Sequence, residues 1–318
     1  MANYNNEHYI QEAIKSVIDQ TFSNWELLIL DDGSTDNSIA IINEYLEDNR
    51  IYLNRNLINK GKVSCLLDLI SRSRAEIFGI LDSDDMLDED ALSCMYYAHL
   101  KDQNCGFIYS QFEFCDSNMN PISPGFCREV PQGETNLRDI YSSAFRTFKK
   151  VYYEKTDGYN EEFINGEDRD IVLKMEEVTN FFFVDKVLYK HRILSDSISN
   201  NPKKKPLGRL LLIKAKYYAF CRRLGTQIPN LNKTEMGVEL FIASIMCFRL
   251  KIRKDAIKYL RLAIDLNPFL FFSMINYLLS KTITRINRSF SPKKTGLPLI
   301  YSTVNREINR QLGEVNFE

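Results

Sequence analysis

The sequence lacks the patterns that mark disulfide-rich, zinc-stabilised and membrane-spanning proteins. Its seven cysteines are odd in number and form no Cys-x-x-Cys pair, which fits a reducing cytosol better than a disulfide or zinc framework. No signal-peptide pattern opens the chain, and its longest apolar stretch, residues 269–279, contains Ser273 and Asn276 and is too short to span a bilayer. These absences predict a cytoplasmic protein.

What is present is the composition of an ordinary globular chain. The 318 residues are 44% hydrophobic and 26% charged, which is enough for one large α/β domain with an appendage. We expect residues 1–200 to form the α/β domain and residues 201–318 to form a basic α-helical C-terminal region.

Charge is distributed unevenly between these two parts. Residues 201–318 hold 22 Lys and Arg against 7 Asp and Glu, whereas residues 1–200 hold 19 against 35. An acidic front part suits cation binding, and a basic rear part suits an anionic partner. The basic residues alternate with Leu, Phe and Tyr, so we expect peripheral membrane contact and no nucleic-acid partner; solvated helix faces are the alternative. The basic clusters are Lys203 to Lys205, Arg222 and Arg223, Arg285 and Arg288, and Lys293 and Lys294.

Hydrophobic spacing alternates between strand and helix in the front part. Apolar runs at 26–30, 51–54 and 77–81 are strand-like, and the residues between them recur at helical spacing without β-hairpin signals. This alternation predicts βα units on a parallel sheet. Further strands are predicted at 106–112 and 181–189.

Past Pro206 the pattern is wholly helical. Residues 236–268 resemble the second helix of a tetratricopeptide repeat, in which small residues let two helices approach closely. Because one such unit cannot form a solenoid, the segment predicts a helical hairpin.

Three carboxylates, Asp82, Asp84 and Asp85, follow directly on the apolar run at 77–81. In an open α/β sheet, ligands bind at the carboxyl ends of the strands, and crowded carboxylates repel one another unless a cation lies between them. An Asp-x-Asp pair offers the hard oxygen ligands that suit Mg or Mn. The cluster predicts a divalent metal site; a solvated acidic turn is the alternative.

These acids belong to a series of motifs in a fixed order: Tyr4 to Glu7, then Gln20 to Phe22, then Asp31 to Asp36, then Leu81 to Asp85. Together the motifs resemble family 2 glycosyltransferases of the GT-A fold, over about residues 2–200. The resemblance implies a mostly parallel sheet flanked by helices. It also implies metal-dependent, inverting transfer of a sugar from a nucleoside-diphosphate sugar, with Mg or Mn as cofactor. We expect a UDP-sugar donor and a saccharide or lipid-linked acceptor, in assembly of bacterial surface polysaccharide.

The resemblance assigns the nucleotide contacts to the first loops. In similar enzymes the acid at the position of Asp32 accepts a hydrogen bond from the base, and the residue at the position of Tyr4 packs on that base. Asp31 ends the same strand at the predicted ligand edge. Lys62 lies in a loop where a cationic side chain can face the ribose or the diphosphate. The alternative for Asp31 and Asp32 is a plain turn before the next helix.

In the Asp82-Ser83-Asp84 motif, similar enzymes bind the metal with the last acid and use the first to hold the ribose or a metal-bound water. The metal is therefore assigned to Asp84 and Asp82, and the nucleotide-sugar contacts include Asp82 and Ser83. Asp85 is expected to orient the loop.

Glu167 and Asp168 fall where similar enzymes keep a Glu-Asp pair, with Gly166 before them and a helix after them. An acceptor hydroxyl must lose its proton as it attacks the anomeric carbon, and a nearby carboxylate can take that proton. The resemblance assigns catalysis to this pair, with Asp168 as the base. Capping of the helix is the alternative.

One departure from the family pattern lies near residue 190. Leu194 stands where similar proteins have a histidine, and His191, three residues earlier, would point to the opposite face of a strand. A metal or phosphate contact from this segment, which continues through Ser195, Ser197 and Ser199, is therefore left open.

The larger departure is at the start. Family members place a short apolar strand before the Tyr-Asn motif, in the middle of the sheet, whereas Met1 stands where that strand would be ending. Loss of a central strand leaves the hydrogen-bonding groups of its neighbours unpaired. We therefore expect Met1 to be an internal methionine of a longer chain.

Two other functions are compatible with the sequence. A non-catalytic scaffold that keeps the fold is favoured by the missing strand and by Leu194, and is opposed by the intact acid motifs. A nucleotidyltransferase would share the sheet and the metal, but it normally carries a glycine-rich phosphate loop near the first strand, and none is visible.

Overall fold

The computed structural model describes residues 1–164, 166–194 and 205–269. The strands are β1 (Ala2–Asn3), β2 (Leu27–Asp31), β3 (Ile51–Arg55), β4 (Ile77–Ile80), β5 (Met86–Leu87), β6 (Cys105–Cys115), β7 (Pro121–Pro124), β8 (Arg146–Lys149) and β9 (Asn180–Arg192). The helices are α1 (Ile10–Ile18), α2 (Ser38–Asn43), α3 (Lys62–Arg72), α4 (Ala91–Lys101), α5 (Lys150–Tyr153), α6 (Glu167–Glu176), α7 (Lys205–Arg222), α8 (Lys233–Arg249) and α9 (Arg253–Leu266).

Three parallel strands form the first sheet, in the order β1-β2-β3. The central strand β2 is an almost wholly apolar run, and its register pairs Leu30 with Ala2 on one side and with Asn54 on the other. Helix α3 packs on β1 and β2. The prediction of βα units on a parallel sheet is confirmed for this part of the chain.

The second sheet has the order β4-β8-β6-β9-β5, with β7 paired to β6. Among its described strands only β6 and β9 run parallel, whereas the pairs β4/β8, β6/β8, β6/β7 and β5/β9 are antiparallel. The strand β8, which was not predicted, lies between β4 and β6. Its sequence, Arg-Thr-Phe-Lys, contains one large apolar residue and therefore forms no apolar run that would mark a strand. The α/β fold class is confirmed, with mixed strand directions on this side.

Strand β1 consists of Ala2 and Asn3 and pairs with β2. The amino group of Met1 donates to the Leu28 carbonyl oxygen at 2.8 Å, and the Leu30 N–H donates to the Met1 carbonyl oxygen at 3.0 Å. These bonds fasten the beginning of the chain to β2. In the described structure β1 pairs with β2 alone and β4 pairs with β8 alone.

Aromatic packing fixes the strands of the second sheet to one another. The rings of Phe78 on β4 and Phe148 on β8 stack with their centroids 4.9 Å apart. Phe107 on β6 meets Phe148 edge-on at 5.0 Å. Since paired aromatic rings bury large areas and prefer these geometries, the cluster holds the acidic end of β4 at a fixed position.

Arg223, the residue that follows α7, binds acidic residues in the front part of the chain. The guanidinium of Arg223 is fully buried, lies 3.0 Å from both Glu176 and Glu177, and donates to Thr135 Oγ1 at 2.8 Å. All of these residues belong to a compact unit that extends from Met1 to Pro229.

The second compact unit starts at Asn230 and contains α8 and α9. The alanines Ala243, Ala256 and Ala263 are buried, and Ser244 Oγ donates to the Ala256 carbonyl oxygen at 2.8 Å. Small side chains and this hydrogen bond bring the two helices close together. The structure therefore contains a helical pair in the segment that resembles a tetratricopeptide repeat.

No helix among the described residues is long and apolar enough to cross a membrane. All seven cysteines are described, and none forms a disulfide. The following predicted features lie outside the described residues: the domain boundary at residue 200, Ser195, Ser197, Ser199, Lys203 and Lys204, the apolar stretch beyond Phe269, Arg285 and Arg288, and Lys293 and Lys294.

We expect Arg223→Ala to lower the free energy of unfolding by about 3–5 kcal/mol, because it leaves the partly buried Glu176 carboxylate without its cation. Urea denaturation of the whole chain measures this loss. Arg222→Ala is the matched control, since the Arg222 side chain is 30% exposed and, among residues 1–164, 166–194 and 205–269, its ion-pair partner is Glu177. Equal losses for the two variants would contradict this account of Arg223.

Candidate active site

The carboxylate that ends β2 shapes the loop that follows it. Asp31 is 0% exposed, its Oδ2 accepts a hydrogen bond from Asn3 Nδ2 at 2.8 Å, and its Oδ1 accepts from the Ser34 N–H at 3.0 Å. Both oxygens are thus engaged within the chain. The predicted nucleotide contact of Asp31 stays a prediction, and in this structure the carboxylate positions the loop after β2.

The next acid, Asp32, holds a second loop against the first. Its Oδ1 accepts from Asn56 Nδ2 at 2.8 Å and from the Lys60 N–H at 2.9 Å, and its Oδ2 accepts from the Gly61 N–H at 2.7 Å. Burial raises the pKa of Asp32, but these hydrogen bonds outweigh burial and bring the pKa below its ordinary value. Asp32 is therefore an anion that fixes the loop before α3.

Glycine permits the close approach of these two loops. Gly33 has φ +77, and a Cβ atom there would lie 3.1 Å from the backbone carbonyl carbon of Ile58. Both the left-handed conformation and the short distance disfavour a larger residue.

The loop after β1 forms hydrogen bonds with the loop after β2 and with the turn after β4. Tyr4 lies in this loop and is 47% exposed. The Asn5 N–H donates to Ser34 Oγ at 2.9 Å, and Asn6 Nδ2 donates to Ser83 Oγ at 2.6 Å. Ser83 is buried, and its hydroxyl lies against Asn6. The predicted contact of Ser83 with the nucleotide sugar stays a prediction.

Lys62, the first residue of α3, lies between two predicted site acids. Its Nζ is 2.8 Å from Asp82 Oδ1 and 3.3 Å from Glu167 Oε1. Burial lowers the pKa of Lys62, but the charges of Asp82 and Glu167 outweigh burial and raise it. The Lys62 charge in turn holds the pKa of Asp82 low against burial, whereas burial keeps the pKa of Glu167 raised. One cation therefore joins the end of β4 to the start of α6.

Asp84 has the electrostatic character expected of a metal ligand. Burial and the charges of Asp85 and Asp82 raise the pKa of Asp84 to about 6, and its carboxylate forms no ion pair in the described part of the chain. A cation beside Asp84 would relieve this repulsion. Among the described residues no three acidic, His or Cys side chains converge on one point.

Asp168, at the start of α6, lies next to Arg146 of β8, which is only partly exposed. Its Oδ2 is 3.4 Å from Arg146 Nη1, and its side chain is 38% exposed whereas that of Arg146 is 13% exposed. The N-terminal end of a helix also stabilises a carboxylate. Asp168 is thus an accessible carboxylate held by a cation of β8 in the same charged cluster as Glu167.

Asp85 orients the end of β9, as predicted for a carboxylate that positions the loop. Its Oδ2 accepts from Tyr189 Oη at 2.7 Å and its Oδ1 accepts from the Arg192 N–H at 2.8 Å. His191 Nδ1 lies 3.2 Å from the same carboxylate.

Three site residues were missed or misjudged from sequence. Arg146 lies on a strand that was not predicted, and no spacing marks Asn6 as the partner of the turn after β4. His191 was expected to point away, yet its ring lies against Asp85. Burial lowers the pKa of His191, but the hydrogen bond and charge of Asp85 outweigh burial and raise it. The segment therefore reaches the acid cluster through His191.

We expect Asp85→Asn to lower the free energy of unfolding by about 1–3 kcal/mol, because an amide NH₂ would face donors that now point at carboxylate oxygen. Thermal and urea unfolding in the presence of a chelator measure this loss without interference from metal. Asp90→Asn removes a carboxylate that is exposed and pairs with Lys186, and it should change little. A loss no larger than that of the control would refute the orienting role of Asp85.

A match between this sequence and a known protein family agrees with the geometry of the candidate site. The sequence model of the family described as Glycosyl transferase family 2 matches residues 1–156. This range contains the loops of Asp32 and Lys62 and the turn after β4.

Two curated relatives carry related sequences. Chondroitin synthase of Pasteurella multocida (strain Pm70) is 31% identical over 200 residues, covering 62% of this chain and 20% of that protein. The Escherichia coli protein UDP-Glc:alpha-D-GlcNAc-diphosphoundecaprenol beta-1,3-glucosyltransferase WfgD is 36% identical over 118 residues, covering 37% of this chain and 46% of that protein. The chain thus corresponds to less than half the length of either relative.

Two solved structures share the fold. S. aureus TarS 1-349 in complex with UDP-GlcNAc superposes with a TM-score of 0.60 at 18% identity, covering 83% of this chain and 79% of that one. The mannosyltransferase PcManGT from Pyrobaculum calidifontis, in complex with GDP-Man and Mn2+, has a TM-score of 0.56 at 14% identity, covering 99% and 85%. At these identities the likeness concerns the fold alone. The family match shows that residues 1–156 are a glycosyl transferase family 2 domain, and the described chain shares the GT-A fold of these structures.

Proposed function

We propose that the chain is an inverting, metal-dependent glycosyltransferase that moves a sugar from a UDP-sugar to a hydroxyl group of an acceptor. The observation that carries this proposal is the position of Lys62 between Asp82 and Glu167. This cation gathers the carboxylates after β4 and those at the start of α6 into one charged cluster. Such a cluster can hold a diphosphate on one side and activate a hydroxyl on the other.

The proposed donor is a UDP-sugar held by the first loops. Asp32 accepts hydrogen bonds from Asn56, Lys60 and Gly61, and the Lys60 N–H is shared between its two oxygens. A base that donates to this carboxylate would replace part of this shared bond. Tyr4 is exposed beside this loop and offers an aromatic face for the base. Support for uridine comes from the solved TarS complex, which contains UDP-GlcNAc, and from the UDP-Glc named for the WfgD relative.

The residues at the end of β4 fit a divalent cation, Mg or Mn. Asp84 is the principal ligand and Asp82 the second, since both follow directly on β4. Burial and the charges of Asp85 and Asp82 raise the pKa of Asp84, and a bound cation would offset that repulsion. A bound divalent ion would neutralise charge that develops on the departing diphosphate. Lys62 contributes positive charge to the same region. The Mn2+ in the PcManGT structure supports this assignment.

The acceptor side of the reaction is assigned to Asp168. The acceptor oxygen forms a bond to the anomeric carbon, its proton passes to Asp168, and the sugar–phosphate bond breaks with its electron pair leaving on UDP. Arg146 keeps the Asp168 carboxylate in position before transfer. Attack from the face opposite to the leaving UDP inverts the anomeric configuration. Glu167 holds Lys62 between the two halves of the site.

The proposed acceptor is a saccharide or a lipid-linked saccharide of the bacterial surface. The names of the chondroitin synthase and WfgD relatives support this class. Arg253, Lys254 and Lys258 are exposed on α9 beside Ile257, which is 62% exposed. This combination of charge and apolar surface supports peripheral contact with an anionic membrane on its cytoplasmic side.

We expect Asp168→Asn to reduce sugar transfer by about 10²–10⁴-fold, because the amide cannot accept the acceptor proton. UDP affinity, measured by calorimetry, should stay near that of the unaltered chain. Transfer is measured as UDP release from a panel of UDP-sugars with saccharide acceptors. Asp157→Asn is the control, since Asp157 is an exposed carboxylate with no assigned role in the site. Retained turnover in Asp168→Asn would remove Asp168 as the base, and no turnover by the unaltered chain with any donor would favour a binding scaffold.

We expect Asp84→Asn to weaken Mn2+-dependent UDP binding by about 10-fold or more, because ligand substitutions at metal sites carry penalties at least of this size. Calorimetric titration with UDP, in Mn2+ and in chelator, gives the two affinities. Glu89→Gln removes a nearby exposed charge and should leave both affinities unchanged. UDP binding that is equal with and without Mn2+ in the unaltered chain would exclude the metal-dependent mode.

A further inference from the structure

A polar cavity of about 330 Å³ lies beside α3, away from the acid cluster of the candidate active site. Its walls come from the end of β3, from the loop that follows β3 and from one face of α3, on which positions four residues apart are neighbours. The polar and charged residues that matter here are Asn54, Arg55, Lys60, Ser64, Asp68 and Arg72.

The charged residues of this cavity leave an excess of positive charge. Arg72 Nε lies 2.9 Å from Asp68 Oδ1, so the acid of the lining is already paired. Arg55 and Lys60 are exposed, and their side chains have no ion-pair or hydrogen-bond partner within the described part of the chain. Free cationic donors around a cavity suit an anion with several oxygen acceptors, such as phosphate.

Two apolar side chains project from the same loop. Leu57 is 94% exposed and Ile58 is 71% exposed, and in sequence both lie between Arg55 and Lys60. Single exposed apolar residues are common on protein surfaces. An adjacent apolar pair flanked by cations is instead typical of a segment that enters a membrane interface. We name residues 55–60 the basic loop.

The backbone of the basic loop is held in place although these side chains face solvent. Asn56 Nδ2 and the Lys60 N–H both donate to Asp32, at 2.8 and 2.9 Å. The backbone of Ile58 packs so closely on Gly33 that a Cβ atom there would lie 3.1 Å from it. The apolar pair is therefore presented in a fixed position, which reduces the entropy cost of binding.

We propose that the basic loop is a membrane-contact site that recognises an anionic phospholipid. Leu57 and Ile58 enter the boundary between headgroups and acyl chains. The cavity beside them takes the phosphate of one headgroup, which accepts hydrogen bonds from Arg55 and Lys60. This surface belongs to the first compact unit, and its residues differ from those of the exposed basic surface of α9.

Membrane contact at this loop would bring the candidate active site to the lipid surface. Strands β2 and β3 are parallel, so the basic loop and the loop of Asp32 lie at the same edge of the first sheet. A lipid-linked acceptor would then meet the nucleotide loops from the bilayer side. This consequence rests on the proposed function, whereas the membrane contact itself does not.

Other occupants suit the basic loop less well. A soluble phosphate would use the cavity but leave Leu57 and Ile58 in water. A protein partner would need a recess that matches the projecting pair and an interface of about 1,200 Å² or more. A fluid interface admits projecting side chains without a matching recess.

Co-sedimentation of the whole chain with phosphatidylcholine vesicles, with and without phosphatidylglycerol, tests the proposal. One variant combines Leu57→Ser with Ile58→Ser, and its control is Ile122→Ser, which alters an apolar residue that is 57% exposed on β7. The second variant is Arg55→Gln, and its control is Lys101→Gln, which removes another exposed cation. Thermal unfolding midpoints equal to that of the unaltered chain establish that each variant folds.

The unaltered chain should bind the vesicles that contain phosphatidylglycerol more tightly than those that lack it. The double serine variant should lose at least about tenfold in affinity, because two apolar side chains no longer leave water. Arg55→Gln should lose about fivefold on the anionic vesicles alone, the usual effect of one cation near an anionic surface. Neither control should change the affinity.

A spectroscopic variant reports on insertion directly. In Leu57→Trp, anionic vesicles should shift the additional tryptophan emission to shorter wavelength, and brominated acyl chains should quench it. Ile122→Trp is the matched control and should show neither change. The single native tryptophan, Trp25, is common to both variants and is subtracted with the unaltered chain.

Three results would overturn the proposal. The first is unchanged vesicle affinity in the double serine variant, or no shift in Leu57→Trp. The second is vesicle binding that survives the loop variants but is lost when Lys254→Gln and Lys258→Gln are combined, which would assign the contact to α9. The third is calorimetric binding of glycerol phosphate by a chain that binds no vesicles, which would assign the cavity to a soluble phosphate.

Discussion

The ion pairs of Lys62 with Asp82 and Glu167 are the contact on which the candidate active site depends. Three elements that are distant in sequence, the start of α3, the end of β4 and the start of α6, meet at this one ammonium group. Without a cation here, the carboxylates of Asp82 and Glu167 would face each other in a partly buried position, which is costly. The rest of the site is organised around this pairing: Asp84 lies on the β4 side, and Asp168 with Arg146 lies on the α6 side.

The acids of the site could be predicted from sequence because their signals are local. Asp32 and Asp82 each follow an apolar run, and the carboxyl ends of strands meet at one edge of an α/β sheet. The partners of these acids could not be predicted in the same way. Asn6 and Ser83 are 77 positions apart, and only the folded chain brings them together. Arg146 lies on a strand that contains only one large apolar residue and so carries no apolar run.

In the second sheet, too, the strands could be predicted from sequence more easily than their neighbours. The runs that became β6 and β9 were recognised, because long alternating or apolar segments carry a clear period. Their neighbours were not, since pairing order and direction depend on how the connections fold back. The sequence therefore predicted the α/β class and the parallel first sheet, whereas the antiparallel insertion of β8 between β4 and β6 emerged only from the structure.

The hydrogen bonds around Asp32 would affect the free energy of binding a nucleotide. The Lys60 and Gly61 amides are already bound to this carboxylate, and Gly33 lets the neighbouring loop pack closely. The loop is thus ordered before any ligand arrives. The binding of a ligand to this loop therefore does not have to offset the conformational entropy lost when those residues become ordered. More of the interaction free energy then remains for affinity and for discrimination between bases.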